Sequence, residues 1–459
     1  MFRPIFRKEI VSHVLSLRFG ATFILCLLLV FASIFVTSHK HESDVKQIPA
    51  RVATAQKEMK RIMDSTDDGK RRLDRVVRYM GRIDVLRVPE LSWAAQGLWP
   101  HMPGAVRTTI EECEPLGDDT SGSPLAKLLP IPDLVYVVGV VLSLLAILFA
   151  FDSICGEKES GTLRLMLSNA VPRDSVLLAK WLGGYAVLIV PFLIAAVGGL
   201  GYAWWKGLLE MSASNLQRIG VVLAVACLYI SVFFTLSLVV SAATHRAATA
   251  LFFCLLIWVA WILVIPNLAP VAAKIVEPTP SVKKINTEKI EIDKDIDLRK
   301  ERLTLTSGEL QYGQKIERLK EKLDREGERL KERLDRYFER TVERQTALAE
   351  TLGRVSPLAC WTYSAVALTD TGPDAHKNLK KAERKLQKDL KDFRARVLER
   401  TKPGQDVSFA LEEVPRLHVA TPDLATLIGC AFNDILILAI LNVVFFMAAF
   451  LLFLRYDVR

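Results

Sequence analysis

The chain has 459 residues, a formal net charge of +9 and a mean hydropathy of +0.25, so charged and apolar material are both abundant. The two are segregated: six windows carry no Asp, Glu, Lys, Arg or His, while 281–350 and 377–402 are crowded with charge. This excludes a simple soluble globule, because hydrocarbon about 30 Å thick takes roughly 20 apolar residues of helix, and six such runs are far more than one soluble core uses.

In chain order, residues 1–18 place Ile5, Val11, Val14, Leu15 and Leu17 among bases and one acid, which predicts an amphipathic helix at the cytoplasmic membrane surface. Window 19–38 is the first span. It is read as an uncleaved helix, because its apolar stretch is long and no small-x-small site follows. Residues 39–133 form a first extracytoplasmic domain. Its charged part, 46–88, is expected to be helical, and Trp93 and Trp99 belong either at the membrane interface or inside the domain. Window 134–151 is the second span and 152–180 a cytoplasmic segment. Spans three to five fill 181–273, as windows 181–205, 219–244 and 247–273. Pro191 and Gly198, Gly199 and Gly201 mark a kink or a close-packing face in the third.

Residues 274–434 form a second extracytoplasmic domain. From Ile285 to Leu352 an amphipathic helix is expected, with Ile316, Leu319, Leu323, Leu330 and Leu334 recurring at helical spacing. Glu326 stands where an apolar residue is due and Gly327 weakens the helix, so packing against a neighbour is expected rather than a long zipper. The simple arrangement pairs this helix with a second, Ala375–Glu399, antiparallel to it. Window 435–454 is the sixth span and 455–459 a cytoplasmic tail. Asp434 is expected at the outer boundary of that span; a helix starting earlier would turn it toward protein or water. The fold class is therefore an all-α polytopic membrane protein with six transmembrane helices and two largely helical extracytoplasmic insertions.

Orientation follows from the bases. Arg3, Arg7, Lys8, Arg18, Lys158, Arg164, Arg173, Lys180, Arg246, Arg455 and Arg459 fall on one side, against Lys206 and Arg218 in the short loop opposite. The positive-inside rule then puts both termini in the cytoplasm. The excess charge is topological, and the basic helices alternate closely with acids, so no nucleic-acid partner is expected.

Catalytic signals are sparse. The chain has no GxxxxGK[ST] loop, no HExxH, no CxxC and no GxSxG. No enzyme activity of its own, no metal and no cofactor are expected. Of the seven cysteines, Cys113 and Cys360 fall one in each extracytoplasmic domain, where an oxidising compartment permits a bridge between them. Two isolated thiols are the alternative.

The informative segment is FDSICGEKESGTLRLMLSNAVPRDSVLLAKWLGGY, 151–185, an amphipathic stretch that suits a pair of short helices at the inner surface. Its run Gly156, Glu157, Lys158, Glu159, Gly161, Thr162, Leu163, continuing to Arg173 and Lys180, resembles the cytoplasmic region of type-2 ABC exporter permeases. It departs from that pattern at Ala170, where Pro is usual, and at Ala179, where Gly is frequent. It is similar in particular to permeases linked to multi-copper enzyme maturation and gliding-type systems. The resemblance implies a non-enzymatic permease subunit in a bacterial inner membrane, paired with a second permease copy or paralogue and served by cytoplasmic ABC ATPase subunits. It also implies ATPase coupling through Glu157, Glu159, Gly161, Thr162, Arg164 and Arg173, and leaves room for an extracytoplasmic partner protein. The alternative reading is a membrane-anchored extracytoplasmic scaffold or assembly factor without transport.

Overall fold

In the computed structural model, which describes residues 2–64, 82–108, 113–116, 132–168, 172–306, 313–400 and 415–455, most of the uncharged windows extend into helices longer than themselves. Helix α1 (Phe2–Val14) turns into α2 (Leu17–Asp64), whose apolar span is Phe19–Ile48. The next spans are α3 (Leu134–Glu159), α5 (Arg173–Trp205), α6 (Ala213–Ala243) and α7 (Ala247–Val276), with the short α4 (Thr162–Ser168) between α3 and α5. Then come α8 (Val282–Thr306), α9 (Gly313–Gly353), α10 (Pro357–Leu368), α11 (Pro373–Arg400) and the last span, α12 (Leu424–Leu454). The chain is thus a mostly α-helical polytopic membrane protein with six spans. The helices outrun the apolar windows because Glu, Lys, Gln and Arg at their ends hold helical backbone well once a turn has formed. Two spans contain a widened π-helical turn, Val137–Leu142 in α3 and Ala260–Val264 in α7. The second lies just before Pro266, whose missing N–H breaks the regular ladder there.

The chain divides into two compact units, 1–258 with 360–459, and 259–359, the divisions falling within α7 and α10. In the first unit α6 is central, packed against α12 and α3, while α1 and α2 lie along α5. Its Tyr229, Phe233 and Phe234 are wholly buried, and the Tyr229 hydroxyl donates to the Gly139 carbonyl at 2.6 Å. Several polar groups in the bundle find partners, as buried groups usually do. Ser231 Oγ donates to Asn442 Oδ1 at 2.7 Å, Asn442 Nδ2 to the Leu228 carbonyl at 3.0 Å, and Trp361 Nε1 to the Val135 carbonyl at 3.0 Å. Asp434 departs from the expected boundary position. Helix α12 starts ten residues earlier, at Leu424, and Asp434 is 2% exposed within it, turned toward protein.

The insertion after the first span also departs from expectation. Helix α2 continues to Asp64, but Arg82–Val85 is a strand, β1, in an antiparallel sheet with β2 (Ala105–Thr108) and β3 (Cys113–Leu116), order β1-β2-β3. Arg-Ile-Asp-Val alternates with period two, and the register sets Val85 against Ala105 and Ala105 against Leu116. Trp93 and Trp99 are buried inside this unit. Gly97 lies at φ 50°, and a Cβ there would come within 2.5 Å of the Thr371 carbonyl oxygen, which accepts the Leu98 N–H at 2.8 Å. No other residue fits that approach. Beside it is a cavity of about 300 Å³, whose lining includes Trp99, Asn215, Arg218, Asp370, Leu379 and Val419. Asp370 has a φ of 56°, and burial pushes its carboxyl up to about 6 against the lowering influence of Arg218.

The charged stretch expected as one helix from Ile285 to Leu352 is two, α8 and α9, packed on each other within the second unit. Lys289–Asp335 (2.7 Å), Asp293–Lys331 and Lys300–Asp324 pair across them, so the helices run antiparallel. Gly327 faces buried Ile296, and a Cβ there would meet Ile296 Cγ1 at 3.1 Å. The interruption of the leucine pattern is therefore a point of close approach of the two helices. Cys360 is buried in α10, while the side chain of Cys113 and the pairing expected for it lie outside the described residues.

Candidate coupling site

The sequence-expected site forms where α3 ends. Residues 151–154 make a turn, Cys155–Glu159 form one further short helix, and Gly161 at φ 74° redirects the chain into α4. Nothing lies within 4 Å of a Cβ built on Gly161. Within this chain the glycine is needed for its left-handed backbone, which costs other residues about 1–2 kcal/mol, rather than for close approach.

Two sets of contacts hold the short helix. The first ties it to the junction of α6 and α7. The N–H groups of Ile154 and Cys155 both donate to Ser241 Oγ at 3.0 Å. Lys158 Nζ donates to the carbonyls of Ala242 and, at 3.1 Å, Thr244, and Glu159 Oε2 accepts the Ala247 N–H at 3.1 Å. A lysine thus closes orphan carbonyls at the end of α6, and a glutamate meets an orphan N–H at the start of α7, each where the helix's partial charge favours it.

The second set is an ion cluster. Lys180 of α5, only 3% exposed, lies 2.9 Å from Glu157 Oε1 and 3.2 Å from Glu9 Oε1 of α1, which is 6% exposed. Lys8 approaches Glu157 at 3.8 Å, and His13 Nε2 is 3.9 Å from Glu9. A buried ammonium is tolerated only when paired, and two carboxylates pair this one. Glu157 is thereby turned inward, toward α1 and α5.

The outward face carries Glu159, Thr162 and Arg164, all exposed, and Leu165, 72% exposed, while Leu163 is buried beneath them. Arg173 stands apart at the start of α5, where its Nη1 donates to the Leu454 carbonyl at the end of α12 at 2.6 Å. Of the six expected residues the structure therefore brings five together and places the sixth at a different helix junction. Lys180, Glu9 and Ser241 were not among them. Lys180 had a visible signal, a lone lysine against the start of an apolar span, and Glu9 another, the single acid of a basic leader. Among the described residues no group of three His, Cys, Asp or Glu is placed to hold a metal ion.

Comparison with known proteins relates the chain to a family and to a relative. The family described as ABC-2 family transporter protein matches residues 3–458. A protein of Pseudomonas aeruginosa named "Probable ABC transporter permease protein NosY" is 32% identical over 116 residues, which is 24% of this chain and 42% of that relative's length.

Proposed function

Because the chain belongs to the ABC-2 transporter family, we propose that it is the permease subunit of an ABC export complex, coupling ATP hydrolysis by separate cytoplasmic ATPase subunits to export or to conformational work outside the membrane. The observation that carries this reading is the double attachment of Cys155–Glu159, to the α6–α7 junction through Ser241, Ala242, Thr244 and Ala247 and to α1 and α5 through Glu157 and Lys180. A push on the exposed face of Glu159, Gly161, Thr162, Arg164 and Leu165 reaches four helices without an intervening loop. In this reading Glu157 transmits, the outward residues meet the ATPase, and Arg173 ties α5 to α12. Both termini are cytoplasmic, in a bacterial inner membrane, as the distribution of bases supports. The GEKESGTLRLMLSNAVPR run supports kinship with the permeases of multi-copper enzyme maturation and gliding-type systems.

The test is Glu157→Ala combined with Gly161→Leu. Loss of one ion pair and left-handed strain of about 1–2 kcal/mol correspond to about a tenfold loss of ATPase association or of coupled hydrolysis, at unchanged membrane level. Unchanged association and unchanged hydrolysis would refute the assignment.

A further inference from the structure

The two long edges of the α8–α9 hairpin are unlike. One is closed by Lys289–Asp335, Asp293–Lys331 and Lys300–Asp324, whose α8 members recur at i, i+4 and i+11 and so share a face. The other is an open groove of about 540 Å³, with Ile292, Leu330 and Leu334 as its floor. Its α8 wall is acidic, Glu288, Glu291 and Asp295 at i, i+3 and i+7, and its α9 wall carries Arg333. Across this edge Arg299 lies 3.8 Å from Glu326, a base on α8 against an acid on α9. Continuing each wall at helical spacing leads to Leu298 and Leu305 on α8 and to Tyr337 and Arg340 on α9. Leu305 is 79% exposed and Tyr337 60%.

At the level of the groove, acids on the α8 wall, Arg333 on the α9 wall and the apolar floor between them make a self-complementary surface. We propose that a second copy of this chain docks its own hairpin on the open edge, giving a four-helix bundle about a two-fold axis parallel to the helices. When two such hairpins face each other, α8 of each meets α9 of the other, acid against base, in an isologous contact. Register can be read from the hairpin itself. Paired residues across it have numbers totalling 624 in all three closing pairs, and Glu291 and Arg333 share that total. They therefore stand at one level, and the two-fold brings Glu291 of each copy opposite Arg333 of the other. Ion pairs of this kind set register and partner choice, while Leu330, Tyr337, Leu298 and Leu305 supply the apolar area. The exposed Leu305 and Tyr337 lie on the continuation of the same walls, where a docked hairpin would cover them.

The proposal rests on the reading of the chain as one of a pair of permease subunits. Two full-length copies with different tags are co-expressed in membranes, one carrying Glu291→Cys and the other Arg333→Cys, and treated with a short bis-maleimide. The expected result is a product bearing both tags, about tenfold more abundant than from an Asp293→Cys and Lys331→Cys pair on the closed edge or from untreated sequence, as an isologous open-edge contact requires. If the two tags co-purify but the open-edge pair gives no excess, the hairpin is not the contact and the paired-permease reading survives. If the tags do not co-purify, the contact between identical copies falls, and the paired-permease reading stands only with a paralogue as the second subunit. A product of position 291 with a different protein also overturns the proposal, in favour of a foreign helix in the groove.

Discussion

Asp370 combines two costs in one residue, a left-handed backbone and a half-buried carboxyl raised to about 6 chiefly by loss of water. A carboxyl whose folded value exceeds its unfolded one contributes stability below about pH 4 and loses it as pH rises through about 6. Asn tolerates the same backbone region and does not titrate. Asp370→Asn is therefore expected to unfold later than the parent at pH 7.5, by about 1 kcal/mol once solvent contact is allowed for, and the gap should close near pH 4. Thermal unfolding in detergent at the two pH values measures this, and a gap independent of pH would show that Arg218 already compensates the charge. At this scale the motif made Glu157, Glu159, Gly161, Thr162 and Arg164 legible as a group. The partners of Glu157 were not legible, because Lys180 is held by Glu9, 171 positions away, a separation at which sequence carries no pairing signal. The direction of Glu157 was hidden for the same reason, since an acid in an amphipathic segment reads as exposed until its buried lysine is found.

Elements were easier to read than residues, and those that failed did so for identifiable reasons. All six spans were visible because a long uncharged run has few alternatives to a membrane helix. Their ends were not, because helical hydrogen bonding continues into charged sequence, as α2 does to Asp64. The small sheet was missed because four-residue strands with charged members offer almost no period to detect, and Asp84 is legible as structural only once its carboxylate is seen accepting the Leu417 N–H at 3.0 Å. The α8–α9 hairpin was half read: the expected neighbour exists, but it is the preceding part of the same charged stretch. Gly327, expected to weaken the helix, is a close contact within the hairpin, against Ile296. Gly327→Leu is expected to force Ile296 aside and destabilise the hairpin by about 1–3 kcal/mol, an overpacking cost. Hydrogen exchange of α9 backbone amides in the full-length protein reports it. Protection equal to the parent would show that the hairpin yields at this point.

For the whole molecule, the arrangement of bases makes a prediction about sidedness. Single cysteines placed near 5, 160 and 245 should react with an impermeant maleimide only after the membrane is opened, and those near 60, 320 and 390 should react in intact cells. Reaction at 160 in intact cells would reverse the orientation and remove the coupling assignment with it.

The unit formed by 259–359 is one uninterrupted stretch, whereas the other is assembled from sequence on both sides of it. This imposes an order in time. Ser231 of α6 and Asn442 of α12, bonded at 2.7 Å, are 211 residues apart. At about 5–20 residues per second the ribosome delivers the asparagine roughly 10–40 s after the serine. Throughout that interval Ser231 lacks its α12 partner, whereas Tyr229 and Ser237 of the same helix bond to the Gly139 and Ile147 carbonyls of α3, which was made before them. Thr235 is already provided for, since its hydroxyl donates to the Ser231 carbonyl one turn back at 2.8 Å and needs no later arrival. Ser231 has no such bond to its own helix among the described contacts, which makes it the group for which the nascent chain depends on its own C-terminus.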